Sequence, residues 1–313
     1  MKILNKLEKK TKDGMRGRKE PIGLYDLIGG SQNNELNSKI IENFLDQNIL
    51  DLKTKKRVLA WKKELEFWEE YAKIYYNLEK ANPYSRLSKT IENFVNPKQG
   101  DVCLDVGCGP AKMSQVIWKK SKKKVKKIIG IDTVLRPARE TMKKMGYSIP
   151  LEIRYASIGQ ELPFTEGYFN VIVANLILPY VIDFEEKRGK EAFEAVLREM
   201  YRILKPGGHM VWSTPKKNVH FQWVFMASIP DMLNIYKYIV NKDITRILQG
   251  TKILKHALEI QQKGKNGIYT FLSKKELEDL LLKTGFVNLV WEKTFAGQVW
   301  VNRIYKPVTN ETN

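Results

Sequence analysis

The segment Val102–Cys103–Leu104–Asp105–Val106–Gly107–Cys108–Gly109–Pro110 constrains the chain more than any other stretch. Apolar positions lead to an acid, two glycines come next, and a proline opens what should be a helix. This is the pattern of a strand–turn–helix unit whose turn comes close to a ligand. Gly107 and Gly109 can adopt backbone angles, and permit a closeness of approach, that a Cβ would forbid. The helix beyond supplies N–H groups without intrahelical partners. An acid at the end of the strand suits a cationic ligand, and it would repel a pyrophosphate placed there. Taken alone, such a turn is also the tight βα loop of any doubly wound domain, so its meaning rests on the order of the strands and helices downstream.

Ile128–Ile129–Gly130–Ile131–Asp132 reads as a second strand ending in a carboxylate. It lies at the spacing where α/β nucleotide sites set an acid against ribose hydroxyls. Leu151–Ser157 reads as a third strand, and after Leu162–Pro163–Phe164 comes the continuous apolar strand Phe169–Asn175. A helix through Leu197–Leu204 stops at Lys205–Pro206–Gly207–Gly208, and His209–Pro215 forms the strand behind it. In this order the chain resembles the class I S-adenosylmethionine-dependent methyltransferases, in particular their small-molecule branch, from Phe67 to Lys306. The resemblance implies an α/β fold with a Rossmann-like, seven-stranded, mostly parallel sheet and an antiparallel final strand. A helical N-terminal extension and a helical cap insertion would complete it. The expected divisions are a basic arm and helical extension over 1–85, a cofactor-binding core over 86–215, a cap over 216–270, and a C-terminal helix and strand hairpin over 271–313.

The same resemblance implies S-adenosylmethionine as cofactor, held by Asp105, Gly107, Cys108, Gly109, Asp132, Thr133, Ser157, Ile158 and Asn175. Members of the family usually place an acid after the third strand to meet the adenine amino group. Here Ser157–Ile158–Gly159–Gln160 stands in its place, which leaves the adenine contact to backbone or to the Ser157 hydroxyl. Between Asn34 and Ala81 the pattern is helical, and Val58, Trp61, Leu65, Trp68, Ala72 and Tyr75 recur on one face. Its aromatic end resembles the helix that walls the active-site mouth in small-molecule methyltransferases, which makes Tyr71 and Tyr75 candidate substrate residues. Tyr25 joins them from the short apolar element before the core. Trp223 and Phe225 join them from the cap, which comes after the fifth strand's carboxyl end and is rich in large apolar groups. His220, at the start of the cap, is the candidate general base. Ser88 is expected to cap the helix that leads to Val95, and Ser273 with Glu276 forms a capping-box pattern.

Lys+Arg 54 against Asp+Glu 35 gives a formal charge of +19. That excess favours anionic partners, either nucleic acid or an anionic membrane surface, unless it is a lysine-rich habit spread over every exposed face. The lysine run from Lys119 to Lys127 joins a helix to the next parallel strand. It therefore belongs at the sheet's amino edge, whereas ligands of open α/β sheets bind at the carboxyl edge. Two cysteines, Cys103 and Cys108, share one strand and its loop. They are poorly placed for a disulfide and too few for a metal site, so no metal is expected and a reducing cytoplasm is. The N-terminus shows no signal-peptide core, and peripheral contact with a membrane is the most the apolar runs allow.

Methyl transfer demands no fixed catalytic motif, because the cofactor carries the driving force. Asn175–Leu176–Ile177–Leu178–Pro179–Tyr180 does not match the Asn/Asp-Pro-Pro-aromatic turn of DNA amino-methylating enzymes. Neither cysteine stands where base C5-methylation needs its nucleophile. The expectation is thus methylation of a small, hydrophobic acceptor such as a quinone, isoprenoid or other lipid-related molecule. The rivals are an RNA or protein methyltransferase, favoured by the charge and the basic arm, and a non-catalytic cofactor-binding or interaction module, which would need a degenerate turn.

Overall fold

The computed structural model describes residues 52–78, 82–146, 148–232 and 245–308. These fall into two compact units, one ending at Phe67 and one beginning at Trp68. Helix α1, Leu52–Leu78, supplies residues to each. In the first unit Val58, Trp61 and Leu65, three members of the apolar stripe, are buried. The second unit carries the sheet.

Its strands β1 (Val102–Val106), β2 (Lys127–Asp132), β3 (Leu151–Tyr155) and β4 (Phe169–Asn175) precede a two-stranded ribbon, β5 (Asp183–Phe184) and β6 (Lys187–Arg188). Then come β7 (Leu204–Pro215), β8 (Val287–Thr294) and β9 (Val299–Tyr305). The helices are α2 (Asn82–Phe94), α3 (Lys112–Lys120), α4 (Arg136–Lys144), α5 (Gly189–Ile203), α6 (Phe221–Met232), α7 (Thr245–Lys265) and α8 (Lys274–Thr284). The seven-stranded sheet has the order β3-β2-β1-β4-β7-β9-β8. Pairings from β3 across to β7 are parallel, and β9 runs antiparallel to both of its neighbours. The mostly parallel sheet expected from the sequence is therefore the fold observed.

The central strands bury side chains on both faces, which is why they read as continuous apolar runs. Leu104, Val106, Ile129, Ile131, Ile172 and Ala174 share one core with Phe193, Val196, Leu197 and Met200 of α5. An ion pair between buried Glu199 and half-buried Arg202 ties this core to the segment before β4. Glu199 accepts from the Leu162 amide at 2.7 Å, and Arg202 binds Glu199 and donates to the Phe164 carbonyl at 2.8 Å.

Strand order reverses direction between β1 and β4, since β2 and β3 lie to one side and β7 to the other. In open α/β sheets that switch point opens the crevice where ligands bind, outside the carboxyl ends of the strands. The glycine turn comes after β1 there, and Leu176–Ile177 comes after β4. The cap expected over 216–270 contains α6 and α7. The Phe221 amide donates to Gln261 Oε1 at 2.9 Å, which joins α6 to α7, and the His220 amide donates to Gln298 Oε1 at 2.9 Å, just before β9.

Two local expectations fare differently. Ser273 and Glu276 form the full capping box at the start of α8. Ser88 does not cap the start of α2: it lies inside the helix, its hydroxyl buried without a hydrogen-bond partner among the described residues. Pro83 sits near the helix start, where its missing N–H costs nothing, and Tyr84, Leu87 and Ile91 make the buried stripe. The helix start is therefore marked by proline rather than by serine. Among the described residues no helix is long and apolar enough to cross a membrane.

Replacing Glu199 by Ala takes the acceptor from the Leu162 amide and the carboxylate from Arg202, which keeps the Leu162 and Phe164 carbonyls. The expected cost is about 1–3 kcal/mol, read as a lowered midpoint in thermal melting. Glu199→Gln keeps an acceptor for the amide and should recover part of the loss.

Candidate functional site

The turn after β1 is built from left-handed backbone. Gly107 has φ +63° and Gly109 φ +45°, and Ala111, which precedes α3, has φ +59°. The two glycines are required for different reasons. A Cβ on Gly107 would lie 2.6 Å from Ile177 Cγ1, so the loop after β4 packs directly onto it. A Cβ on Gly109 would meet nothing nearer than the Gly107 carbonyl at 4.0 Å, so this face of the turn is open. An open, left-handed turn at the switch point is a cradle in which a ligand can lie against backbone.

Asp132, the last residue of β2, supports the cradle from the side. One carboxylate oxygen accepts from the Gly109 amide at 2.8 Å and the other from the Val134 amide at 2.8 Å. Burial raises its pKa, with these amides and that of Thr133 acting in the opposite sense. Gly130, two residues earlier, leaves the space into which Cys108 fits: a Cβ there would stand 3.0 Å from Cys108 Sγ. Burial also pushes the Cys108 thiol well up, so it is a packing group under the turn rather than a nucleophile.

Asp105 lies beneath the turn, 1% exposed. One of its oxygens accepts from both the amide and the hydroxyl of Ser114, at 2.8 and 2.6 Å. Ser114 is in the first turn of α3, so the carboxylate meets a backbone donor that the helix itself cannot satisfy, at the positive end of its dipole. Burial nevertheless dominates and raises the Asp105 pKa to about 7, against the two Ser114 hydrogen bonds.

The remaining residues expected from the sequence take several positions. Asn175, at the end of β4, donates to Tyr84 Oη at 3.1 Å and accepts from Ser213 Oγ at 2.7 Å, while Ser213 Oγ accepts from the Leu176 amide at 2.8 Å. Its amide is thus engaged in holding the loop after β4. Ser157 is buried and its hydroxyl accepts from the Gly159 amide at 3.2 Å, with Ile158 partly buried beside it. Tyr71 packs edge-on against Trp68 at 5.6 Å and against His256 at 5.8 Å, and burial holds its phenol above the usual range. Phe225 is half-buried, Trp223 is 55% exposed, and His220 is exposed with its ring near the Gln222 amide. Tyr25 and the side chain of Tyr75 lie outside the described residues. No cluster of metal-binding side chains occurs among the described residues.

Sequence reasoning missed Ser114, Tyr84, Ser213 and Ile177, the groups that brace the cradle. Only Ser114 carried a local signal, as a hydroxyl in the first turn of the helix after the glycines.

A model of the methyltransferase domain family matches residues 77–290. A demethylmenaquinone methyltransferase of Oceanobacillus iheyensis is 28% identical over 213 residues, 66% of this chain and 77% of the relative. A ubiquinone/menaquinone biosynthesis C-methyltransferase of Neisseria meningitidis is 30% identical over 122 residues, 38% of this chain and 44% of the relative. The structure of an S-adenosylmethionine-dependent methyltransferase from Thermotoga maritima aligns with TM-score 0.46 at 18% identity, covering 79% of this chain and 99% of that one. The matched span runs from the end of α1 into β8 and takes in the glycine turn and the switch point, and the chain belongs to this family as a class I S-adenosylmethionine-dependent methyltransferase.

Proposed function

We propose that the enzyme methylates a small, hydrophobic acceptor of quinone, isoprenoid or other lipid-related type. The observation that carries this reading is an aromatic wall beside the loop after β4. Tyr180 stands 5.4 Å from Trp68, 5.0 Å from Tyr269 and 6.0 Å from Phe271, ring centre to ring centre. It thereby gathers α1 and the α7–α8 connection at the carboxyl edge, close to Ile177 on Gly107. Tyr180, Tyr269 and Phe271 are buried and Trp68 is half-buried, so the cluster makes this edge apolar and excludes water from it. The quinone-methylating relatives support the same acceptor class.

S-adenosylmethionine, when bound, supplies an electrophilic methyl on a sulfonium centre. The residues fit that molecule. Gly107 and Gly109 let it approach the backbone, and Asp132 has acceptor capacity left for ribose hydroxyls. Asp105 places negative charge below the ammonium group of the amino-acid end. Ser157 and Ile158, with Thr133, border the adenine side, and Cys108 and Asn175 hold the walls. Tyr71 and Phe225 border the acceptor side, with Tyr25 and Tyr75 assigned there on sequence grounds. His220 takes the acceptor's proton where one must leave. Trp223 and Met226, one helical turn apart on α6 and 55% and 53% exposed, form the face that touches an anionic membrane carrying a lipid acceptor.

These assignments have three measurable outcomes. Incubating the enzyme and methyl-labelled cofactor with lipid, RNA and protein fractions should label the lipid fraction; label in RNA or protein alone overturns the acceptor class. Asp105 passes from an ordinary value of 3.8 to about 7 in the fold, so its contribution to stability is full below pH 4 and is lost as pH rises to 7. A cation above it favours the ionised form, so affinity for S-adenosylhomocysteine should climb as pH rises through 7. Calorimetry between pH 5.5 and 8.5 should show that climb in the parent and a flat profile in Asp105→Asn. Trp223→Ser should change the melting temperature little, because the ring is not in the core, while reducing flotation with anionic vesicles; a large loss of stability with no vesicle binding by the parent removes the membrane assignment.

A further inference from the structure

Strands β2 and β3 run in register from Ile128 opposite Leu151 to Asp132 opposite Tyr155. Side chains alternate along a strand, so Ile128, Gly130 and Asp132 share one face with Leu151, Ile153 and Tyr155. That face carries the glycine turn. Cys108 fills the space over Gly130, and Leu151 and Ile153 pack against Cys108, Ala111 and Ala138. Asp132 and Tyr155 end their strands as register partners, so they stand side by side at the carboxyl edge, where Asp132 accepts from the Gly109 amide.

The Tyr155 hydroxyl is buried and has no hydrogen-bond partner among the described residues. Buried polar atoms are nearly always paired, and an unpaired one is unfavourable. For packing alone, phenylalanine would fill the same volume without that cost. Burial, and after it the Asp132 carboxylate, holds the phenol above its ordinary range, so at neutral pH it keeps its proton and can donate. Asp132 can only accept, and each of its oxygens already takes one backbone amide. A vicinal diol brings O–H donors, which suit the carboxylate, and also oxygens that need a donor.

We propose that the Tyr155 hydroxyl is that donor, hydrogen-bonding the ribose of S-adenosylmethionine beside Asp132 and making Tyr155 a cofactor-binding residue. The proposal rests on the assignment of Asp132 to the ribose. It also gives a partner to the buried hydroxyl at the last position of β3.

The experiment compares the full chain with Tyr155→Phe and Asp132→Asn, titrating S-adenosylhomocysteine calorimetrically and recording each ligand-free melting temperature. Tyr155→Phe should weaken binding roughly threefold to tenfold, the worth of one hydrogen bond. Its melting temperature should be unchanged or higher, because the deleted hydroxyl serves no protein group. With the 2′-deoxy or the 3′-deoxy form of the ligand, whichever lacks the contacted oxygen, the difference between parent and Tyr155→Phe should vanish. Affinity within twofold of the parent overturns the proposal, as does a loss that persists with both deoxy ligands. If Asp132→Asn weakens binding and Tyr155→Phe does not, the ribose assignment stands and Tyr155 alone falls; if neither does, the ribose assignment has failed.

Discussion

The buried Asp105 carboxylate is the interaction that holds the whole site in place. It joins the end of β1 to the first turn of α3 through the amide and hydroxyl of Ser114. The two ends of the intervening loop are thereby fixed, and the glycines between them can hold left-handed angles without support from a ligand. The arrangement has an electrostatic cost, since burial works against ionisation and its effect exceeds that of the two hydrogen bonds. A neutral cap would hold the helix at lower cost. A carboxylate, when ionised, also puts negative charge under the turn.

The loop after β4 completes the crevice from the other side. Ile177 lies where a Cβ on Gly107 would be, so the two loops at the switch point interlock. Leu176 has φ +52°, a strained angle for a branched side chain, and its amide is held by Ser213 Oγ. Ser213 is in turn bonded to Asn175, and Asn175 to Tyr84 on α2. The strain is thus over-determined by a chain of hydrogen bonds running from β7 through β4 to the helix before the sheet.

Much of the fold could be read from residues. The apolar run Phe169–Asn175 is a strand over its whole length because both of its faces are covered. Asp132 ends its strand as its spacing implies, and Ser273 caps α8 as its pattern implies. Ser88 shows where such reasoning misleads. A serine before a helical stretch can cap it only if the backbone there is not already helical, and the turn begun at Pro83 made it so. Trp223 and Phe225 both fall on α6, yet apolar spacing could not say that one ring is exposed and the other half-buried, because burial depends on what the tertiary fold packs against each face.

The order of amino acids was enough for the class of protein: a left-handed glycine turn after an acid-ended strand, a second acid at the next strand's end, and the order of apolar strands around them. Each of these is a local property, set by backbone angles, side-chain period and capping chemistry within a few residues. The pairings, by contrast, arise only in the folded chain. Asn175 finds Tyr84 at a separation of 91 residues, Asp105 finds Ser114 across a turn, and Tyr155 comes to stand beside Asp132. Those partnerships depend on strand register and on how helices settle against the sheet. Shifting β3 by one residue would carry the Tyr155 hydroxyl to the opposite face without changing a single local propensity.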